Sequence, residues 1–253
     1  MVLFLIFTIG IIFGSFLNVI ILRTPSKAFS FQKQRSHCLK CNSKLHWYHN
    51  LPILSWLFLK GKCYFCNTPI SIQYPLIEFI SGVLFLTSYI SYTNFDFFFF
   101  KNIYFYLVSL ILLILLYLSV HDIKYKYVYL NHIFVLFGFS FVLGLLNYEY
   151  IYYHFLFLVP ILLLKFIFDN IKGEITLGTG DLVPLFTLSV LTINYENYLF
   201  EVLFSLWIMS ISVVLVSKIF SIKRTPLIPF ILASIFIKSL FLLLFPHFLL
   251  QFQ

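Results

Sequence analysis

The first twenty-two residues, Met1–Leu22, carry no charged side chain, and apolar stretches of similar length recur to the end of the chain. About 20 apolar residues of helix cross the hydrocarbon core of a bilayer. Lipid offers no partner for backbone N–H and C=O groups, so such stretches must fold as helices or close into a barrel. Their length favours helices. Spans read at 1–22, 75–93, 98–120, 127–147, 151–168, 182–197, 199–217 and 227–250 predict an all-α polytopic membrane protein of about eight transmembrane helices. Composition agrees, with 61% hydrophobic and 10% charged residues, where soluble domains carry about 25% charged. Met1–Leu22 lacks the basic start and small-residue cleavage site of a signal peptide and reads as a retained first helix. Three segments follow: the first helix at 1–22, a polar loop at 23–74, and a membrane bundle at 75–253.

Net charge is +8. The basic residues lie in short loops beside apolar spans, which marks a cytoplasmic face and argues against nucleic acid as a partner. With the N-terminus outside, loops 23–74, 121–126, 169–181 and 218–226, together with Lys165, hold 15 of the 17 Lys and Arg. Lys101 and Lys238 fall elsewhere, and Asp96, Glu149, Glu196 and Glu201 are assigned to external loops.

The loop Arg23–Tyr74 has eight basic residues, no Asp or Glu, and all four cysteines of the chain. Cys38-Leu-Lys-Cys41 and Cys63-Tyr-Phe-Cys66 are C-x2-C pairs 21 residues apart, close to the four-thiolate zinc pattern. Gly61 and Asn67 can turn the chain at the second pair, and Lys40 and Lys62 can offset the thiolate charge. A segment of this size builds little core, so a structural zinc staple makes physical sense. His37, His46 and His49 are nearby; four thiolates complete a tetrahedron, so these histidines read as surface residues. The same spacing also suits a membrane thiol–disulfide oxidoreductase, although cytoplasmic thiols are kept reduced.

Two acids stand just past the ends of apolar spans: Asp122 in Ser-Val-His-Asp-Ile-Lys, and Asp181 in Gly-Thr-Gly-Asp-Leu. An ionisable group at that depth is costly and tends to be functional. Gly178 and Gly180 leave the backbone open to a substrate strand, and the dipole of the next helix favours an ionised Asp181. If the two carboxylates meet, they share one proton. One can then serve as general base and the other as general acid, which is aspartyl protease chemistry. Each acid alone could simply mark a helix end. A transporter or assembly scaffold using them as ion sites is a third reading, better suited to acids nearer the bilayer centre.

The order of motifs resembles the type IV prepilin peptidases, bacterial GxGD-type membrane aspartyl proteases. The likeness begins at Gly14-Ser-Phe-Leu-Asn18 and runs to Arg23. It continues through Arg35-Ser-His-Cys-Leu-Lys-Cys41, Leu51-Pro-Ile-Leu-Ser-Trp56, Lys60-Gly-Lys-Cys-Tyr-Phe-Cys66 and Tyr74-Pro-Leu-Ile-Glu78. Asp122 and Asp181 fall at the two catalytic positions, and Pro226-Leu-Ile-Pro229 resembles a late Pro-rich motif. The chain departs from the pattern at Tyr129 and Leu130, where Pro and then Asp or Asn are usual, and at Val183, where Lys is common. The resemblance implies prepilins or pseudopilins as substrates, cleaved after a short basic leader at the cytoplasmic face of the bacterial inner membrane. It also implies N-methylation of the new terminus with S-adenosylmethionine. Membrane lipids are the other expected partner.

Overall fold

A computed structural model describes residues 1–38, 40–93, 103–146, 151–172, 178–191, 198–220 and 226–244, apart from 24–35. Nine α-helices occur among them: α1 (Val2–Arg23), α2 (Leu54–Phe58), α3 (Gln73–Thr93), α4 (Ile103–Tyr125), α5 (Leu130–Leu146), α6 (Ile151–Lys172), α7 (Leu182–Val190), α8 (Tyr198–Phe220) and α9 (Ile228–Leu244). The chain is thus an all-α membrane protein, as the apolar pattern requires. Four helices, α1, α3, α4 and α8, are long and apolar enough to cross a membrane, and α5, α6 and α9 hold shorter apolar runs. Of the span expected at 182–197, only Leu182–Val190 is helical and 192–197 lie outside the described residues. The chain divides into two units, Met1–Leu86 and Thr87–Gln253.

In the first unit, α1 lies backbone-to-backbone on α3. A Cβ on Gly10 would stand 2.8 Å from the Gly82 Cα, and one on Gly14 2.8 Å from the Glu78 Cα. Small residues four apart allow that approach, the usual solution for apposed membrane helices. Ser81 Oγ donates to the Gly10 carbonyl at 2.7 Å, and Asn18 Nδ2 to the Tyr74 carbonyl at 3.1 Å. Glu78 reaches out of α3 to accept the Ile53 N–H at 2.7 Å. Three residues quoted above for their family resemblance, Gly14, Asn18 and Glu78, therefore hold this helix pair and its loop together.

In the second unit α4 is the inner helix, packed on α5 and α9, with most of its circumference buried. α7 packs against α5, α6, α8 and α9, and Pro184 through Val190 are all buried. Pro184 sits in its first turn, where a missing N–H costs little. Nine residues rise about 13 Å, less than half of a bilayer core. The sequence reading placed Glu201 in an external loop; it is instead fully buried in the first turn of α8. An ion pair with Lys238 of α9 accommodates its charge there.

Candidate active site and candidate metal centre

α4 does not end before Asp122. It continues to Tyr125, so Asp122 lies inside its last turns at 8% exposure. Lys126 then takes φ +58° and its N–H bonds back to the Asp122 carbonyl at 2.9 Å, a left-handed stop. The Asp122 carboxylate faces the start of α9, where Oδ2 accepts the Ile228 N–H at 3.4 Å. Pro229 occupies the first turn of α9, a position that tolerates a missing donor. The late Pro-rich motif thus shapes a helix N-terminus turned toward Asp122.

Asp181 closes a 3-10 turn, Thr179–Asp181, and its N–H bonds to the Gly178 carbonyl at 3.1 Å. It stands at the head of α7 without making a side-chain cap bond. It lies in the segment between α6 and α7, and its carboxyl is pushed up to about 6. Burial is the main cause, followed by the charge of Asp122, while a backbone contact from Gly178 opposes both. The helix dipole, expected to favour the ionised form, is outweighed. The fold thus lets Asp181 feel the charge of an acid 59 residues away in sequence.

The two glycines each have a close neighbour within the fold. Neither takes positive φ. A Cβ on Gly178 would stand 3.1 Å from Asp181 Oδ2, and one on Gly180 3.1 Å from Ile133 Cδ1 on α5. Gly178 leaves room for the Asp181 carboxylate itself.

Sequence reasoning missed the aromatic surround of His121, the residue before Asp122. His121, fully buried, sets Nδ1 at 2.8 Å from the Tyr127 carbonyl. A carbonyl only accepts, so that nitrogen carries the proton. Tyr125, Tyr127 and Tyr129 ring His121 at centroid distances of 4.6, 5.4 and 5.3 Å. Tyr129, a departure from the resembled pattern, also meets His132 at 5.5 Å. The only signal was the run of tyrosines after Asp122.

The four cysteines converge, with their sulfur atoms all within 4.8 Å of one another. Cys38 and Cys66 Sγ are 3.8 Å apart; a Zn–S bond of about 2.3 Å gives a tetrahedral edge of about 3.8 Å. The two knuckles repeat each other. Asn42 N–H bonds to the Cys38 carbonyl and Asn67 N–H to the Cys63 carbonyl, at 2.9 and 3.0 Å. Both asparagines take left-handed φ, +54° and +55°, which Asn tolerates better than most residues. Each knuckle closes with an isolated bridge, His37 to Lys44 and Lys62 to Pro69. The repeat C-x-x-C-N-[S/T] was legible in the sequence, but Asn42 and Ser43 went unnoticed. Thr68 Oγ1 lies 2.8 Å from Cys66 Sγ and, with its backbone, lowers that thiol to about 6. A ready thiolate is what a metal ligand needs. The donor set fits zinc.

Among the nearby histidines His46 is exposed, but His49 is buried, not a surface residue. Its ring packs 4.4 Å from Tyr48 and 5.1 Å from Tyr64, so it forms a small core under the knuckles. No histidine joins the sulfur cluster among the described residues.

Residues 8–92 match the family model of the bacterial Peptidase A24 N-terminal domain. The chain is similar to the prepilin leader peptidase/N-methyltransferase of Myxococcus xanthus, 48% identical over 80 residues, 32% of this chain and 24% of the relative. Its counterpart in Neisseria gonorrhoeae is 40% identical over 100 residues, 30% of this chain and 35% of the relative. That of Vibrio cholerae is 36% identical over 110 residues, 40% and 44% of the two. The chain spans less than half the length of these curated relatives. The comparisons bear out the resemblance to type IV prepilin peptidases. No solved structure matches the chain.

Proposed function

We propose that the chain is an aspartyl peptidase that removes the leader of prepilins or pseudopilins at the cytoplasmic face of the bacterial inner membrane. The observation that carries this reading is the Asp181 carboxyl, which burial first and the charge of Asp122 second push up to about 6. With one proton between them, the ionised carboxylate takes a proton from water as its oxygen attacks the scissile carbonyl. The protonated partner gives its proton to the carbonyl oxygen. Collapse of the tetrahedral species expels the amine, which takes the proton of one carboxyl, while a hydroxyl of the intermediate gives its proton to the other, so one proton again remains on the dyad. Orientation follows from the positive-inside distribution: N-terminus outside, both aspartates toward the cytoplasm.

A zinc held by Cys38, Cys41, Cys63 and Cys66 would cross-link the loop and take no part in hydrolysis. The relatives' names include an N-methyltransferase, so the new N-terminal amine is the acceptor expected for a methyl group from S-adenosylmethionine. The basic loop suits anionic lipid headgroups better than it suits a basic leader. Nucleic acid has no role here.

Co-expression with a prepilin and mass spectrometry of its N-terminus tests the reading. Leader loss that depends on this chain supports it; an intact leader across several prepilins removes it. A finer expectation concerns the glycines. Gly178→Ala should slow cleavage about 10-fold or more, because displacement of a reacting group by even 1 Å can cost about 100-fold. Gly180→Ala meets the mobile end of Ile133 and should stay within about threefold. Equal effects in single-turnover rates would discard this account of Gly178.

A further inference from the structure

Lys238 on α9 is 1% exposed and ranks among the largest fully buried side chains. Its Nζ lies 3.2 Å from Glu201 Oε2 on α8, itself fully buried, and 3.0 Å from the Leu191 carbonyl oxygen. Two charges inside an apolar bundle carry a desolvation cost that an apolar pair would avoid. Such groups within membrane helices usually have a task.

The third contact identifies that task. Leu191 follows the last residue of α7, and its N–H closes the helix onto the Thr187 carbonyl at 3.0 Å. Its own carbonyl belongs to the terminal set left without an intrahelical donor, and a cation suits that end of the helix dipole. At the opposite end of the same nine residues stands Asp181. Between them every residue from Pro184 to Val190 is buried, and Thr187 Oγ1 pairs with Ser140 Oγ of α5 at 2.9 Å. α7 is therefore a short rod fixed at its side by Ser140 and at its tail by an ammonium.

We propose that Lys238, oriented by Glu201, is a positioning residue that sets where α7 sits along its axis and so places the Asp181 carboxylate opposite Asp122. The inference rests on the peptidase reading for its consequence in rate, and on geometry alone for the placement. A rod of about two and a half turns transmits a shift of its tail to its head. Loss of the anchor lets α7 slide, and the two acids separate.

The test compares wild type with Glu201→Gln/Lys238→Met, which removes both buried charges together and so spares the bundle an unpaired ion. Two readouts are taken on the full-length protein in detergent or lipid. The first is leader cleavage, where kcat falls about 10- to 100-fold with KM nearly unchanged. The second is titration of the Asp181 carboxyl by NMR with labelled aspartate, which moves down from about 6 as Asp122 recedes. Lys238→Arg, which keeps a donor for Leu191, restores most of the rate. A variant with wild-type kcat and an unmoved Asp181 overturns the proposal. A purely structural pair would instead lower the yield and leave the titration of the surviving protein unchanged, which overturns it too. If wild type cleaves no prepilin, the peptidase reading fails while the titration still decides the placement. Should the double variant not accumulate, Glu201→Gln alone keeps the shape and is read the same way, with a smaller shift expected and no shift fatal.

Discussion

Asp122→Asn and Asp181→Asn each abolish leader cleavage, while the protein still inserts at its normal level. General acid–base catalysis contributes about 10²–10⁴-fold, and a dyad that loses either member loses both roles, because neither acid can then trade its proton with the other. The loss should therefore approach the detection limit of a mass-spectrometric assay. Insertion should be spared for opposite reasons at the two positions. Asp181 makes no capping bond that an amide would break. Asp122 accepts one long bond from the Ile228 N–H, and an Asn side-chain oxygen can accept it as well. Full processing by either variant, in cells carrying no other processing enzyme, would remove that residue from the mechanism.

Removal of the metal should be the largest effect on structure. Chelation, or Cys63→Ser at the buried ligand, should unfold the knuckles and so let trypsin cut at Lys40, Lys44, Lys60 and Lys62, which are exposed but held in tight turns while the fold is intact. Structural zinc contributes about 10–16 kcal/mol in small peptides, far beyond what a segment of this size gains from burial. Purified protein should hold one zinc per chain. Protein free of metal but carrying a Cys–Cys bridge would favour the thiol–disulfide reading, and the lowered Cys66 thiol would then be its nucleophile. The helix pair α1 and α3 should survive metal loss, because Gly10, Gly14 and Ser81 hold it without reference to the cysteines.

The parts of this molecule that were legible in the sequence are those written in local spacing. Apolar run lengths gave the helices, and two C-x2-C pairs gave the sulfur cluster. Short-range contacts of a different kind escaped. Asn42 looked like any loop residue until its left-handed φ matched that of Asn67. His49 was read as surface because four thiolates leave no place for it in the sulfur cluster, yet it packs against Tyr48 and Tyr64. Long-range pairing was harder still. Nothing in the local sequence of Glu201 or Lys238 says that they meet, and a charge at the edge of an apolar run reads as a loop when its partner is 37 residues away. The aspartates were singled out because acids are scarce here, but their meeting is a property of how α4, α7 and α9 pack. Gly178 shows the same limit: its place three residues before Asp181 was visible, its closeness to the Asp181 carboxylate was not.

The chain has only four aspartates, Asp96, Asp122, Asp169 and Asp181, so carboxyl-labelled aspartate gives a spectrum simple enough to titrate residue by residue. If the acids of α4 and the α7 turn face each other, Asp181 releases its proton near 6 in the wild type and at distinctly lower pH in Asp122→Asn. A curve for Asp181 that is the same in both proteins would mean that the two groups never sense one another.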